Sequence, residues 1–490
     1  MQKKQLDQTT APIVEAIEAF QKQGEISFGI PGHKRDAGID HLMSGTLGNL
    51  MYRNDIPGHH GLDDRKESRG TRLKAEELAA EAFGAKQSFF SIGGTSLSVH
   101  VAMLTVADSG EKLIVARNTH KSVIAALLLG EVNPIFLQPE INEEWQIENG
   151  ITPKSLEQTL SMHPDAKGVF LVSPTVYGIT SDTKALADIC HSHHIPLIVD
   201  EAWGPHFAFH PDLPETAMSC GADLSMGSIH KTMAGLGQAS IVNMQGDLIQ
   251  PDRFKLCLKL FESTSPSSLI LASADAARRQ MVLEGKALLD RTLSLSTWVR
   301  TELSSVEGIH ILDRSYLGTP GAKALDITKI VLDISGLGVS GYEASDWIEE
   351  RYKINFELLN ERHLMALLTI ADTRQTVEKL VTAVKAMATW AHDREKPTDI
   401  TLPKLDELYA KCVTSPTKAF FGETEDIPFE QAAGRIAAEM ITPYPPGIPR
   451  IAPGELINQT VIDYLQKGMQ LGMFEESFDP SLETIRVVKR

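Results

Sequence analysis

A lysine set beside hydroxyl and imidazole donors is the group in this chain best equipped for covalent chemistry. It lies in Ser228-Ile229-His230-Lys231, which is followed by Gly235-Leu236-Gly237-Gln238. A lysine amine on such a turn can form a Schiff base with a carbonyl compound while Ser228 and His230 hold a phosphate. Most lysines are merely solvated, so Lys231 alone would carry little weight. Three upstream features add to it. Gly93-Gly94-Thr95-Ser96 follows an apolar run and opens a helix-like segment. Bare backbone amides, two hydroxyls and a helix N-terminus suit a phosphate, although a Gly-Gly turn is more often a plain strand-to-helix connection. Arg117-Asn118-Thr119-His120-Lys121-Ser122 has the same placement. There His120 can stack on a flat heteroaromatic ring or, more simply, face solvent or cap the helix. Asp200, in Val199-Asp200-Glu201-Ala202-Trp203, ends an apolar strand, where a buried carboxylate is costly without a cationic partner.

One such partner is the pyridinium nitrogen of pyridoxal 5'-phosphate (PLP). The ion pair keeps that nitrogen protonated, so the ring can accept electrons. A helix N-cap or a magnesium ligand remains the alternative reading of Asp200. It is the order of the four features that favours PLP: phosphate turn, ring-stacking residue, strand-end aspartate, then lysine.

The elements that must position these residues are legible in outline. Short apolar runs at 88–92, 112–116, 134–137, 168–173, 196–199 and 239–244 alternate with helix-like segments, the βαβ rhythm of a parallel sheet with helices on both faces. The run 168–173 is nearly all apolar, as a strand buried on both faces should be. Reactive residues then gather at the carboxyl ends of the strands. After Thr264-Ser265-Pro266 the spacing predicts helices over 269–284 and 286–306, then a small α+β layer: strand 329–334, helix 341–352, strand 363–370 and helix 374–392. The charged stretch 392–403, with Pro397 and Pro403, reads as a linker.

The 490 residues exceed the roughly 250 to 300 at which single cores stop growing, so two or three domains are expected without staples. Cys190, Cys220, Cys257 and Cys412 form neither a CxxC pair nor a disulfide framework, which fits a reducing compartment. A net charge of -17 with no basic run argues against nucleic acid and against an anionic membrane surface. Residues 1–23 mix charges with an amphipathic stretch at 13–20 and lack the features of a signal peptide. Apolar runs elsewhere fall short of the ~20 residues of a membrane span. The expectation is a soluble, cytoplasmic protein with a small-molecule partner, no nucleic acid, no membrane and no metal.

These motifs resemble, over nearly the whole chain, the bacterial ornithine/lysine/arginine decarboxylase family. The resemblance also covers Pro31-Gly32-His33-Lys34, Gly61-Leu62-Asp63-Asp64, Thr264-Ser265-Pro266, and a long signature from Gly434 to Pro449 that ends in Pro453-Gly454-Glu455. It implies an α/β fold: an aspartate-aminotransferase-like (PLP fold type I) large domain with a mostly parallel sheet, a smaller α+β domain, and a C-terminal decarboxylase-family domain. The implied bounds are an arm at 1–30, the PLP-binding domain at 31–285, the small domain at 286–395 and the C-terminal domain at 396–490. Lys231 becomes the imine lysine, Asp200 the pyridinium partner and His120 the ring-stacking residue. Thr95, Ser96, Ser228 and His230 become phosphate contacts, and Gly94, Ala202 and Trp203 complete the cofactor-facing set. Thr264 or Ser265 resembles a segment that reaches a neighbouring subunit's phosphate, which implies a homodimer or dimer of dimers with shared active sites.

Departures from the family bear on subtype. The chain resembles the compact arginine or lysine decarboxylases without the N-terminal wing, so the ring-shaped assembly of the long enzymes is not expected. Yet Trp203 stands where compact members usually carry His. Glu357 matches a family glutamate, and it and Arg362 are the candidate substrate contacts, with a polar surface turn between Asn355 and His363 as the alternative; Asn360-Glu361-Arg362-His363 departs from a Tyr-Asn pattern there. The implied activity is PLP-dependent decarboxylation of a basic amino acid, arginine to agmatine first, in polyamine biosynthesis, with lysine or ornithine as alternatives. An aminotransferase-type PLP enzyme would share Lys231 and Asp200, and a non-catalytic PLP-binding homologue would have no need of Lys231.

Overall fold

In a computed structural model, which describes residues 5–24, 26–56, 70–394 and 397–490, the chain divides into two units. One comprises residues 1–105 and 201–288, the other 106–200 and 289–490. The expected Gly61-Leu62-Asp63-Asp64 motif and part of the 392–403 linker lie outside the described residues.

In the first unit the strand Gln87–Ser91 pairs antiparallel with Ser240–Met244, which pairs antiparallel with Leu224–Ser228. The last of these was not foreseen. Its sequence, Leu-Ser-Met-Gly-Ser, lacks a continuous apolar run, yet all five residues are buried. At Gly227 the strand leaves little room for a side chain: a Cβ there would lie 3.1 Å from Pro205. Ahead of the sheet, the amphipathic stretch near the N-terminus forms the helix Pro12–Lys22, with Ile13, Ile17 and Phe20 buried. The helices expected at 269–284 and 286–306 are one helix, Ser268–Leu303. Gly285 looks like a break in sequence but is helical, and a Cβ there would sit 3.2 Å from Phe209. The glycine answers a packing need, not a turn.

The second unit holds the parallel part of the fold. Lys112–Ala116 pairs parallel with Asn133–Leu137 and with Val169–Val172, which pairs parallel with Leu197–Asp200. Val169, Phe170 and Leu171 are buried, as expected of a strand covered on both faces. A second, antiparallel sheet runs His310–Ile311, Lys329–Asp333, His363–Leu367, Leu358–Leu359. Its core includes Ile330, Leu332 and Leu364 together with apolar residues of the helices Gly341–Tyr352 and Arg374–His392. Ser340 and Glu343 form a capping box at the first of these helices, satisfying two N-terminal amides reciprocally. After the linker, Thr398 donates its amide to Gly338 O (2.8 Å) and its hydroxyl to Glu343 (2.7 Å), which ties the following segment to the same helix. The C-terminal part pairs Thr424–Pro428 with Thr484–Val488 around a core that includes Ile441, Val461, Leu465 and Ile485. The helix Gln459–Leu471 starts with the Asn458 side chain accepting Val461 N–H and stops at Gly472, whose φ of +106° suits glycine. Among the described residues no helix is long and apolar enough to cross a membrane.

Candidate active site

Lys231 lies in the short helix Ile229–Thr232, which directly follows the strand Leu224–Ser228. Three backbone links fix it within its unit. Ser228 N–H donates to Ala202 O (3.3 Å), Met233 N–H to Ile229 O (2.9 Å), and His230 N–H to Ala239 O (3.3 Å). The His230 ring makes a further contact, Nδ1 to Ala239 O at 3.0 Å. A carbonyl can only accept, so Nδ1 carries a proton and Nε2 is the ring's other polar atom. Lys231 is half-buried, with Nζ 3.7 Å from the centre of the Trp203 ring. Ala202 is buried and Trp203 half-buried, in a turn closed by Gly204 N–H to Glu201 O (2.8 Å).

The same unit brings the first sequence motif to Lys231's segment. The helix Gly94–Val106 begins at a left-handed Gly94 (φ +68°) whose amide donates to Gln238 O (2.9 Å). Thr95 Oγ1 and Ser228 Oγ are 2.6 Å apart and both residues are buried, while Ser96 is exposed. Two adjoining hydroxyls at a helix N-terminus form an anion cradle, and a half-buried amine follows three residues after one of them. This donor set fits a phosphate-bearing carbonyl cofactor such as PLP. Thr264 and Ser265 are exposed. The segment just before them is held by Arg72, which donates to both oxygens of Glu262 (3.1 Å each), to Glu76 (2.9 Å) and to Phe90 O (2.8 Å).

In the second unit Asp200 closes the strand Leu197–Asp200 and is buried, its carbonyl accepting Ser173 N–H (3.0 Å). His120 caps the helix Lys121–Gly130: its Nδ1 accepts Ser122 N–H (3.2 Å) and lies 2.9 Å from Ser122 Oγ. Capping through one nitrogen fixes the ring's orientation, so the capping and ring-stacking readings are compatible. The C-terminal signature grips the same loop. Gly447 accepts Lys121 N–H (2.9 Å), and a Cβ at Gly447 would come within 3.0 Å of the His120 ring. Arg117 makes a bidentate pair with Glu455 (2.8 and 2.9 Å) and donates to Pro449 O (2.7 Å). Arg117 and Glu455 are 1% and 0% exposed. This pair escaped the sequence reading because its partners are 338 positions apart, although both ends lie in motifs already singled out.

The two candidate substrate contacts are placed differently. Glu357 is exposed and its amide donates to Met365 O (3.0 Å). Arg362 pairs with Asp333 (2.8 Å), not with Glu357 or Glu361. The departing segment turns inward: Glu361 and His363 are buried, and burial pushes the Glu361 carboxyl up and the His363 imidazole down to about 4. Asn360 shapes this turn by accepting His363 N–H (2.6 Å) and Arg362 N–H (2.9 Å).

Comparison with known proteins decides the family. Residues 11–376 match the model of the Orn/Lys/Arg decarboxylase major domain and residues 402–479 that of the C-terminal domain. The chain belongs to the Orn/Lys/Arg decarboxylase family. Members of this family are pyridoxal-phosphate enzymes, amino-acid lyases that remove carbon dioxide. Proteins named arginine decarboxylase, from Halalkalibacterium halodurans and Bacillus subtilis, are each 36% identical to this decarboxylase over 98–99% of both chains. The constitutive lysine decarboxylase of Escherichia coli is 25% identical, over 97% of this chain and 80% of its own. Its structure superposes with a TM-score of 0.78 over 99% of this chain and 82% of that one, at 24% identity. A ureidoglycine-glyoxylate aminotransferase from Bacillus subtilis superposes with a TM-score of 0.53 at 13% identity, over 66% of this chain and 86% of that one. The PLP fold type I architecture is therefore shared with an aminotransferase, and fold alone does not separate the two activities. The C-terminal domain match does.

Proposed function

We propose that this decarboxylase converts arginine to agmatine, with PLP attached to Lys231. One observation carries the choice of arginine: 36% identity over nearly full length to proteins of that name, against 25% to a lysine decarboxylase. Bound PLP supplies an electron sink for the electron pair left when carbon dioxide departs. The chain's own groups do the rest. Lys231 anchors the cofactor through its amine. Thr95, Ser96, Ser228 and His230, with the Gly94 turn, hold the phosphate. Asp200 keeps the proton on the ring nitrogen, His120 lies against the ring, and Ala202 and Trp203 bound the site. The residues that orient the substrate would decide which bond to Cα breaks.

The exposed Thr264 and Ser265, on a segment pinned by the Arg72–Glu262 pair, support a shared site in which one chain reaches its neighbour's phosphate. On this reading the functional unit is a homodimer or a dimer of dimers in the cytoplasm, supplying amines for polyamine synthesis. Glu357, and less directly Arg362, face the substrate side chain in the assembled site. Four segments carry these roles: an arm to residue 30, the cofactor domain to 285, the small domain to 395 and the C-terminal domain beyond. The test is purified protein with PLP and arginine, lysine or ornithine in turn, measuring carbon dioxide and the amine formed. Agmatine from arginine at the highest kcat/KM is the expected result. Release from lysine or ornithine alone would move the substrate assignment, and transamination without carbon dioxide would overturn the reaction class.

A further inference from the structure

Lys231 and Trp203 come together by a route the motif reading does not explain. Trp203 follows the strand-end aspartate motif and Lys231 follows the strand Leu224–Ser228, yet Nζ sits 3.7 Å from the indole centre. Backbone bonds set the approach. Glu201 N–H donates to Met226 O (2.9 Å) and Ser228 N–H to Ala202 O (3.3 Å), so the Glu201–Trp203 turn is fastened along the strand that delivers Lys231. Two glycines permit the fit. A Cβ at Gly227 would crowd Pro205, just past the turn, at 3.1 Å, and one at Gly235 would meet Ile229 Cγ2 at 2.7 Å, inside Lys231's own helix. An ammonium over the face of an indole is attracted by the ring's quadrupole, and Trp is the strongest of the aromatic side chains in this role.

We infer that Trp203 is a positioning residue whose ring holds the Lys231 ammonium whenever that amine is not bonded to the cofactor. The inference rests on the assignment of Lys231 as the cofactor lysine. An imine nitrogen is less basic than the amine and spreads its charge into the cofactor ring, so the indole face favours the unattached lysine over the attached one. In turnover the substrate amine would take the place of Lys231 on the cofactor and free Nζ. The proton that the incoming α-ammonium must lose equals the one Nζ would gain, and the indole face would hold the resulting cation until the lysine is needed again. This gives a tryptophan a function at the site beyond that of an apolar wall.

The experiment is a fluorination series at position 203 alone, introduced by nonsense suppression: tryptophan, then its mono-, di- and trifluoro forms. Fluorine drains the ring's negative face with little change of shape, so a purely structural role would not respond. The readout is the PLP dissociation constant of the apoprotein, by equilibrium dialysis, with the same series in a Lys231→Ala background. The expected result is PLP binding that tightens stepwise, by about three- to tenfold from tryptophan to its trifluoro form, and no trend in Lys231→Ala. A flat series with a borohydride-reduced PLP adduct on Lys231 would overturn the inference while leaving the cofactor lysine in place. An adduct on a different lysine would overturn the assignment beneath it. A trend of equal size in Lys231→Ala would show that the ring acts on something other than this ammonium, and would also overturn the inference.

Discussion

The polar groups around Lys231 and those of the C-terminal half differ in kind. Near Lys231 several are short and uncharged: Thr95 and Ser228 share a hydrogen bond, His230 leans on a backbone carbonyl, and the lysine is half-buried against an indole. In the second unit they are charged and largely internal. Arg117 is paired with Glu455, Arg450 with Glu148 and Lys329 with Asp326. A buried guanidinium clasped by its own carboxylate is a fixed part of the packing, and its removal strands the partner charge. A partly exposed amine among hydroxyls keeps its reactivity and costs the fold little. The first arrangement belongs to chemistry and the second to architecture, and mutation should separate them.

The largest expected effect is that of Lys231→Ala. Activity should fall by at least about a thousandfold, since the anchoring amine is lost, with a melting temperature within about 2 °C of wild type. Comparable loss of both activity and melting temperature would erase the distinction between the two regions. Next comes Arg117→Ala, which should lower unfolding free energy by roughly 3 to 5 kcal/mol by leaving Glu455 buried and unpaired. Arg117→Met with Glu455→Leu should recover a good part of that loss in urea titrations, and a double variant as unstable as the single one would mean that the pair contributes more than charge balance. Asp200→Asn should keep the fold while kcat drops on the order of a hundredfold, because the ring nitrogen is no longer held protonated.

Glu475 sharpens the comparison from the architectural side. It is buried, neither carboxylate oxygen has a hydrogen-bond partner among the described residues, and burial pushes its carboxyl up to about 8 from an ordinary 4.5. The neutral form is the one the folded chain favours. Its contribution is therefore full below pH 4.5 and is lost as pH rises through about 8. Glu475→Gln removes that titration, so its melting temperature should gain on wild type between pH 5 and pH 9, by roughly 2 to 5 °C. A gap constant with pH would place a charge partner beside Glu475. The smallest effect is expected at Glu357, where Gln should raise KM for arginine by about fivefold with kcat nearly unchanged, as a lost substrate contact does.

Much of this organisation was legible in the sequence, and the exceptions share a cause. Apolar runs such as Val169–Val172 announce themselves because burial on both faces demands them. Leu224–Ser228 is equally buried, yet it lacks the apolar run of the expected strands because close packing selected serine and glycine. Gly285 misleads in the same way, its packing role looking like a helix break. At the candidate site, Lys231, Thr95 and Ser228 were visible as residue types in order. The Arg117–Glu455 clasp and the approach of Trp203 to Lys231 were not, because each depends on distances that only the fold creates.

The central claim is that Lys231 is the residue to which the cofactor is attached. Borohydride reduction of the PLP-loaded protein, followed by proteolysis and mass spectrometry, tests it directly. The account predicts a reduced pyridoxyl adduct on the peptide carrying Lys231 and loss of that adduct in Lys231→Ala. An adduct on another lysine, with Lys231 unmodified, would contradict it.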